Sequence, residues 1–126
     1  MMIAAILESG RLERLYTGLS LLVSAAADGR SARGLVTFGA LGAMLDPDLH
    51  ARALLCEAVA DGETFARSLV ELRATARELE DCRLWACAAA VELTGADAAV
   101  VAEQLEGVMS TPRFLREVAG ADLVVV

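Results

Sequence analysis

The N-terminal run MMIAAIL, residues 1 to 7, is short, continuous and apolar, and it ends at Glu8, Ser9 and Gly10. A strand with no polar face is buried on both sides, as happens in a parallel sheet covered by helices. The next segment changes period. Leu12, Leu15, Tyr16, Leu19, Leu22, Val23 and Ala26 recur at three- and four-residue steps until Asp28 and Gly29 stop them, the pattern of a helix with one apolar face. A buried strand followed at once by such a helix opens a βαβ crossover, and that constrains the fold more than any other feature of the chain.

The alternation continues. GLVTF, residues 34 to 38, is a second apolar run closed by Gly39, after which a Gly-containing loop is expected. Asp46 before Pro47 predicts an N-cap with proline in the first turn of a helix reaching about Ala60, its stripe of Leu49, Ala53, Cys56 and Ala60 turned toward packing. Gly62 reads as a break. From Thr64 to Glu80, the spacing of Phe65, Leu69, Leu72, Ala76 and Leu79 predicts a long amphipathic helix. RLWAC is the third main strand, followed by an Ala-rich helical stretch, a helix from about Asp97 to Glu106, and a short Val108–Met109 strand. A helix begun by Thr111 and Pro112 and a final strand, ADLVVV, complete the chain. The expected class is therefore α/β, a mainly parallel sheet of about five strands with helices on both faces, in one domain over residues 1–126.

Composition excludes several functions. The net charge is -7, and eleven arginines are scattered among eighteen acids, which argues against a nucleic-acid partner. All eleven basic residues are Arg, a bias expected of a GC-rich bacterial genome and unrelated to activity. The longest uncharged stretch, Leu15 to Ala27, has 13 residues, short of the ~20 that a membrane-spanning helix needs. Glu8 and Glu13 around Arg11 and Arg14 speak against a secretion signal, and the expected compartment is the cytoplasm. Cys56, Cys82 and Cys87 are then free thiols; no CxxC pair and a single histidine, His50, leave no case for a metal site. A hydrophobic fraction of 56% in so short a chain points to a homo-oligomer.

In a parallel sheet the carboxyl ends of the strands share one edge, where ligands bind. Here that edge should carry Ser9 and Gly10, then Thr37, Phe38 and Gly39, then Cys87 with Ala88 after it, lining one shallow crevice. A cysteine at a strand end just before a helix meets backbone N–H groups that favour the thiolate, provided it is partly exposed. The competing reading is a packed cysteine, since Trp85, Ala86 and Ala88 beside it are apolar. His50 reads as a surface or capping side chain, and Ser9, without a GxSxG context, as a turn residue. Cys82, after Glu80 and Asp81, reads as a strand-edge residue whose acidic neighbours oppose ionisation. Trp85 reads as core. No glycine-rich phosphate loop follows the first strand, which ranks a nucleotide-binding domain last.

The order ILESGRLERLYTGLSLLVSAAADG, LVTFGAL, LWACAAAVELTG and EGVMSTPRFLREVAGADLVVV, nearly the whole chain, resembles the DsrE/DsrF-like sulfur-relay family, which includes the TusD-type sulfur carriers. In that family a small-residue first helix ends in an Ala-Ala-x-Gly turn, the second strand ends in a Thr-Phe-like segment, and the third main strand ends in a cysteine able to carry persulfide sulfur. Ala25 to Gly29, Thr37 with Phe38, and Cys87 match those features. The resemblance implies a three-layer α/β/α sandwich, sulfane sulfur accepted and passed on through Cys87, no cofactor, sulfur donor and acceptor proteins as partners, and assembly into trimers or hexamers. Relatives without the cysteine serve as structural subunits. The alternative expectation is accordingly a non-catalytic oligomeric subunit or binding module in which Cys87 only packs.

Overall fold

The structure, a computed structural model, describes residues 1–126. Strands β1 (Met2–Leu7), β2 (Ser31–Val36), β3 (Cys82–Cys87), β4 (Val108–Met109) and β5 (Asp122–Val125) form one sheet. Its order is β4-β3-β2-β1-β5 and every pairing is parallel. The connections are α1 (Leu12–Ala27), α2 (Phe38–Leu45), α3 (Leu49–Leu54), α4 (Gly62–Glu78), α5 (Ala88–Thr94), α6 (Ala98–Gln104) and α7 (Thr111–Glu117). The expected α/β class with a parallel five-strand sheet is what the chain forms. No helix is long and apolar enough to cross a membrane.

Side chains alternate between two covered faces. Ala5, Gly34 and Leu84 are paired in register on one face, and a methyl on Gly34 would meet Leu84 Cδ2 at 2.5 Å and Leu22 Cδ1 of α1 at 3.1 Å. α1 therefore lies on that face, and α4 packs beside it. Trp85, one residue on from Leu84, turns to the opposite face and meets Phe114 of α7 edge to face at a centroid distance of 6.4 Å. Helices thus cover both sides. The central strands consist largely of small residues, and Ala4, Ala5, Ala32 and Ala86 are fully buried.

Several boundaries differ from those read off the sequence. β2 begins at Ser31, not Gly34, because pairing with β1 in register starts at Met2–Ser31 and Arg33 reaches the strand's open end to donate to the carbonyls of Ala32 and Asp81. It stops at Val36, and the expected loop after it is helix α2, whose Ala40, Leu41, Ala43 and Met44 are buried despite two glycines. The helix expected from Pro47 to Ala60 spans only Leu49–Leu54. Asp46 does not cap it at Pro47; its carboxylate accepts from Asp48 N at 2.7 Å and from Arg52 at 3.0 Å, closing a turn first. Gly62 does not break the chain but begins α4, where Asp61 caps by accepting from Thr64 N at 3.0 Å. A Cβ at Gly62 would lie 3.0 Å from the Leu54 carbonyl oxygen, so α3 runs almost against the start of α4.

The tightest backbone contact joins the β1–α1 and β2–α2 turns. A Cβ on Gly39 would lie 2.5 Å from Gly10 N and 2.6 Å from its Cα, whereas one on Gly42, exposed in α2, would meet nothing within 4 Å. We expect Gly39→Ala to destabilise the fold by about 1–3 kcal/mol, as overpacking does. Gly42→Ala should be neutral or stabilising by up to about 1 kcal/mol, since it relieves glycine's entropy cost in a helix. Urea unfolding of the two variants checks the contrast, and equal effects would refute the packing account.

Candidate functional site

The carboxyl edge carries Ser9, Gly10, Thr37, Phe38, Gly39, Cys87 and Ala88, as expected from the strand order, but not in one crevice. Ser9 accepts a hydrogen bond from Arg11 N at 3.1 Å in the turn after β1. Together with Phe38, Arg14 and Val126 it lines a shallow cavity of about 440 Å³. Gly10 and Gly39 lie back to back beneath it. Phe38 is the single non-glycine residue with positive φ, 42°, and its ring is 47% exposed. On its other side lies an apolar cavity of about 350 Å³ between α2 and α6, with Leu41, Leu45 and Val100 in its wall. Cys87 lines neither.

Cys87 is the last residue of β3 and the cap residue of α5, followed by half-buried Ala88. It is only 5% exposed, where partial exposure was expected, because it belongs to the face covered by α7 and packs in the core with Met109 and Phe114. Register places its neighbours: Val36 pairs with Ala86, so Thr37 lies beside Cys87, and on the other side Cys87 pairs with Met109, two residues before Thr111. Thr37 is the chain's one buried polar side chain, 8% exposed.

No cap hydrogen bond is formed by the neutral thiol, yet the surroundings favour its anion. Burial pushes the Cys87 thiol up; the N–H of Ala90, the hydroxyl of Thr37, the N–H of Ala89 and the hydroxyl of Thr111 pull it down and prevail, so it ionises below the ordinary thiol value. The other two cysteines lie elsewhere in the fold. Cys82, at the opposite end of β3, is 3% exposed, and burial pushes it up to about 11, with Arg33 only partly offsetting this. Cys56 lies outside any helix, half-buried in a cavity of about 610 Å³ that also carries Arg11, Arg52 and Glu13. Its thiol donates to Glu13 Oε2 at 3.4 Å.

Thr111 is the residue of this cluster that sequence reasoning missed. Only the two-residue strand β4, pairing Met109 with Cys87, brings the start of α7 to the sulfur. The serine-threonine-proline run was legible as a helix start, and Ser110 does cap α7 by accepting from Arg113 N at 3.3 Å. His50 is exposed on α3, away from this edge. No three His, Cys, Asp or Glu side chains gather closely enough to hold a metal ion. No protein-family model matches the chain, and no curated protein matches it in sequence.

These environments give a pH signature. The unfolded Cys82 thiol loses its proton near ~8.5, whereas the folded one keeps it until about 11. The contribution is present below the first value and lost as pH rises through the second. Stability should therefore fall between these values by up to about 1.4 kcal/mol per pH unit. Urea midpoints across that range should drop in the native protein, and the drop should be shallower in Cys82→Ala; identical slopes would show that another group is responsible.

Proposed function

We propose that the protein is a small sulfur-relay protein of the DsrE/DsrF-like kind, in which the Cys87 thiolate accepts a sulfane sulfur from a donor persulfide and hands it to an acceptor. One observation carries this reading: Cys87 ends a central strand at the carboxyl edge, directly before α5 and beside Thr37 and Met109 in register, and there its thiol is pulled below the ordinary value in spite of burial. Structural cysteines in apolar cores are shifted the other way, as Cys82 is. In the transfer, the Cys87 thiolate attacks the outer sulfur of R–S–SH, that sulfur's bond to the donor breaks, and the donor leaves as its thiolate. The partners are the donor and acceptor proteins, the compartment is the cytoplasm of a bacterium, and no cofactor takes part.

The second reading has its own observation, the 5% exposure of Cys87, which favours a non-catalytic oligomeric subunit in which this thiol only packs. Both readings include a homo-oligomer, a trimer or hexamer. Leu123 and Val125 of the edge strand β5 pair with Ala4 and Ile6 on the α7 face, and both are exposed, as is Leu115 of α7. Apolar surface on an open sheet edge is the kind that self-association covers.

After incubation with a persulfide donor, Cys87 should gain the mass of one sulfur atom, removable by reductant. Cys87→Ser should abolish the gain, and Cys56→Ser and Cys82→Ser should load normally. Peptide mass mapping distinguishes the readings, and sulfur carried on another cysteine, with Cys87 unmodified, would establish the second. Sedimentation at micromolar concentration should give a multiple of the single-chain mass.

A further inference from the structure

We propose that two copies of this chain join edge to edge through β5, antiparallel about a two-fold axis at Val124, so that one sheet runs through both. The inference rests on the self-association that both readings above include, and it is independent of whether Cys87 carries sulfur.

The two edges of the sheet differ in how they are protected. β4 is only two residues long, and Pro112 follows soon after it; so short a strand gives another chain little to pair with. β5 has four residues, DLVV, in unbroken register with β1. It carries no proline, lysine or bulge, the devices that keep open edges from pairing. Val126 shows which way its backbone turns: its N–H donates to the Ile6 carbonyl at 2.9 Å and its carbonyl accepts from Glu8 N at 2.8 Å. Strand alternation turns the backbone groups of Val124 toward β1 as well. Those of Leu123 and Val125 point the other way, to the side where β5 has no neighbour.

These outward groups are self-complementary. When two β5 strands run antiparallel with Val124 opposite its own twin, Leu123 of each copy stands opposite Val125 of the other, and each such pair exchanges both backbone hydrogen bonds. A slip of one residue would set outward groups against inward ones and lose the bonds, which fixes the register. The side chains match the backbone. Leu123 and Val125 are 43% and 58% exposed on the α7 face. Across the seam they form leucine–valine pairs and remove from water the apolar surface that a single chain leaves open.

Charge favours a second copy over a strand from another protein. Asp122 begins β5 and is exposed. At the other end, Val126 lies beside α1, since a Cβ on Gly18 would be 3.6 Å from Val126 Cβ. One turn before Gly18, exposed Arg14 lines the shallow cavity that Val125 and Val126 share, where Arg11 and Arg14 stand against one acid, Glu8. The chain's ion pairs join Arg11 to Glu13 and Arg52 to Asp46, so Asp122 and Arg14 both lack an oppositely charged partner. Asp122 and Val126, four residues apart in sequence, share the α1 face. The antiparallel register sets Asp122 of one copy opposite Val126 of the other on that face, beside that copy's Arg14, and the axis repeats the contact. A closed trimer contains no two-fold axis, so this pairing selects the hexamer or a dimer.

The test uses the full chain, with sedimentation to follow assembly and circular dichroism to confirm folding. Val124→Cys places a thiol from each copy at the axis, in a non-hydrogen-bonded pair with Cα atoms about 4.5 Å apart, a separation that a disulfide spans. Mild oxidation should give a peptide joined 124 to 124 by mass spectrometry, and Glu92→Cys, on exposed α5, should give no such link to its twin. Leu123→Lys and Val125→Lys change exposed side chains, so each should stay folded and lose the assembled mass. Asp122→Arg and Arg14→Asp each act twice per pair and should weaken association about tenfold; the two together should restore it. A native protein that assembles without the 124–124 link, and does so undiminished in the lysine variants, would overturn the proposal and leave self-association through another face. A native protein that sediments as a single chain at micromolar concentration would overturn both.

Discussion

At the carboxyl edge of the sheet, the turn leaving β1 lies directly on the turn leaving β2, and the two backbones touch at Gly10 and Gly39. Two hydrogen bonds lock them together, from Thr37 N to the Leu7 carbonyl at 2.9 Å and from Ala40 N to the Glu8 carbonyl at 3.2 Å. No Cβ fits between them, so the chain must bend sharply just before Gly39, and the bend falls on Phe38. A non-glycine residue in the left-handed region costs about 1–3 kcal/mol. The surroundings that over-determine it are the glycine contact and the burial of Ala40 and Leu41 immediately afterwards. The exposed position of the Phe38 ring and the inward position of Thr37 are two consequences of one contact.

The same economy of side-chain volume runs through the sheet. Ala4, Ala5, Ala32, Gly34 and Ala86 leave space that larger residues from the covering layers fill, such as Leu22 from α1 and Phe114 from α7. Gly18 of α1 does the converse, since a Cβ there would run into the Leu7 side chain. Helices close to a sheet of small residues bring their first turns close to the strand ends. At the end of β3 this puts the start of α5 directly after Cys87, and β4 brings the start of α7 to the same edge.

The fold class was legible because buried parallel strands and amphipathic crossovers carry different periods, and MMIAAIL beside the 12–27 stripe shows both within the first 27 residues. Boundaries failed where polar residues enter strands or glycine enters helices. Arg33 hid the start of β2 because its guanidinium is satisfied by carbonyls at the strand's open end, a partner that sequence cannot display. FGALGAML looked like a loop because its burial, not its propensity, makes it helical. The residues of the carboxyl edge were correctly gathered there, since parallel strands all end on one side. How they divide among cavities was not legible, because it depends on the close approach at Gly10 and Gly39 and on the register of a two-residue strand.

The two cysteines of β3 show most directly how position in a parallel strand decides chemistry. Cys82 and Cys87 lie at opposite ends of the same six residues, and both are almost fully buried. Cys82 has a guanidinium nearby, yet Arg33 Nη1 is already donating to the carbonyls of Ala32 and Asp81, and its charge does not overcome burial. Cys87 has no cation, only short-range neutral donors, and these do overcome it. The amino end of a parallel strand receives the chain from the carbonyl end of a helix. The carboxyl end delivers it to the N–H end of the next, and the neighbouring strands deliver their own turn residues to the same place. At the first position burial alone decides and the thiol is pushed up; five residues later the same thiol is pulled below its ordinary value.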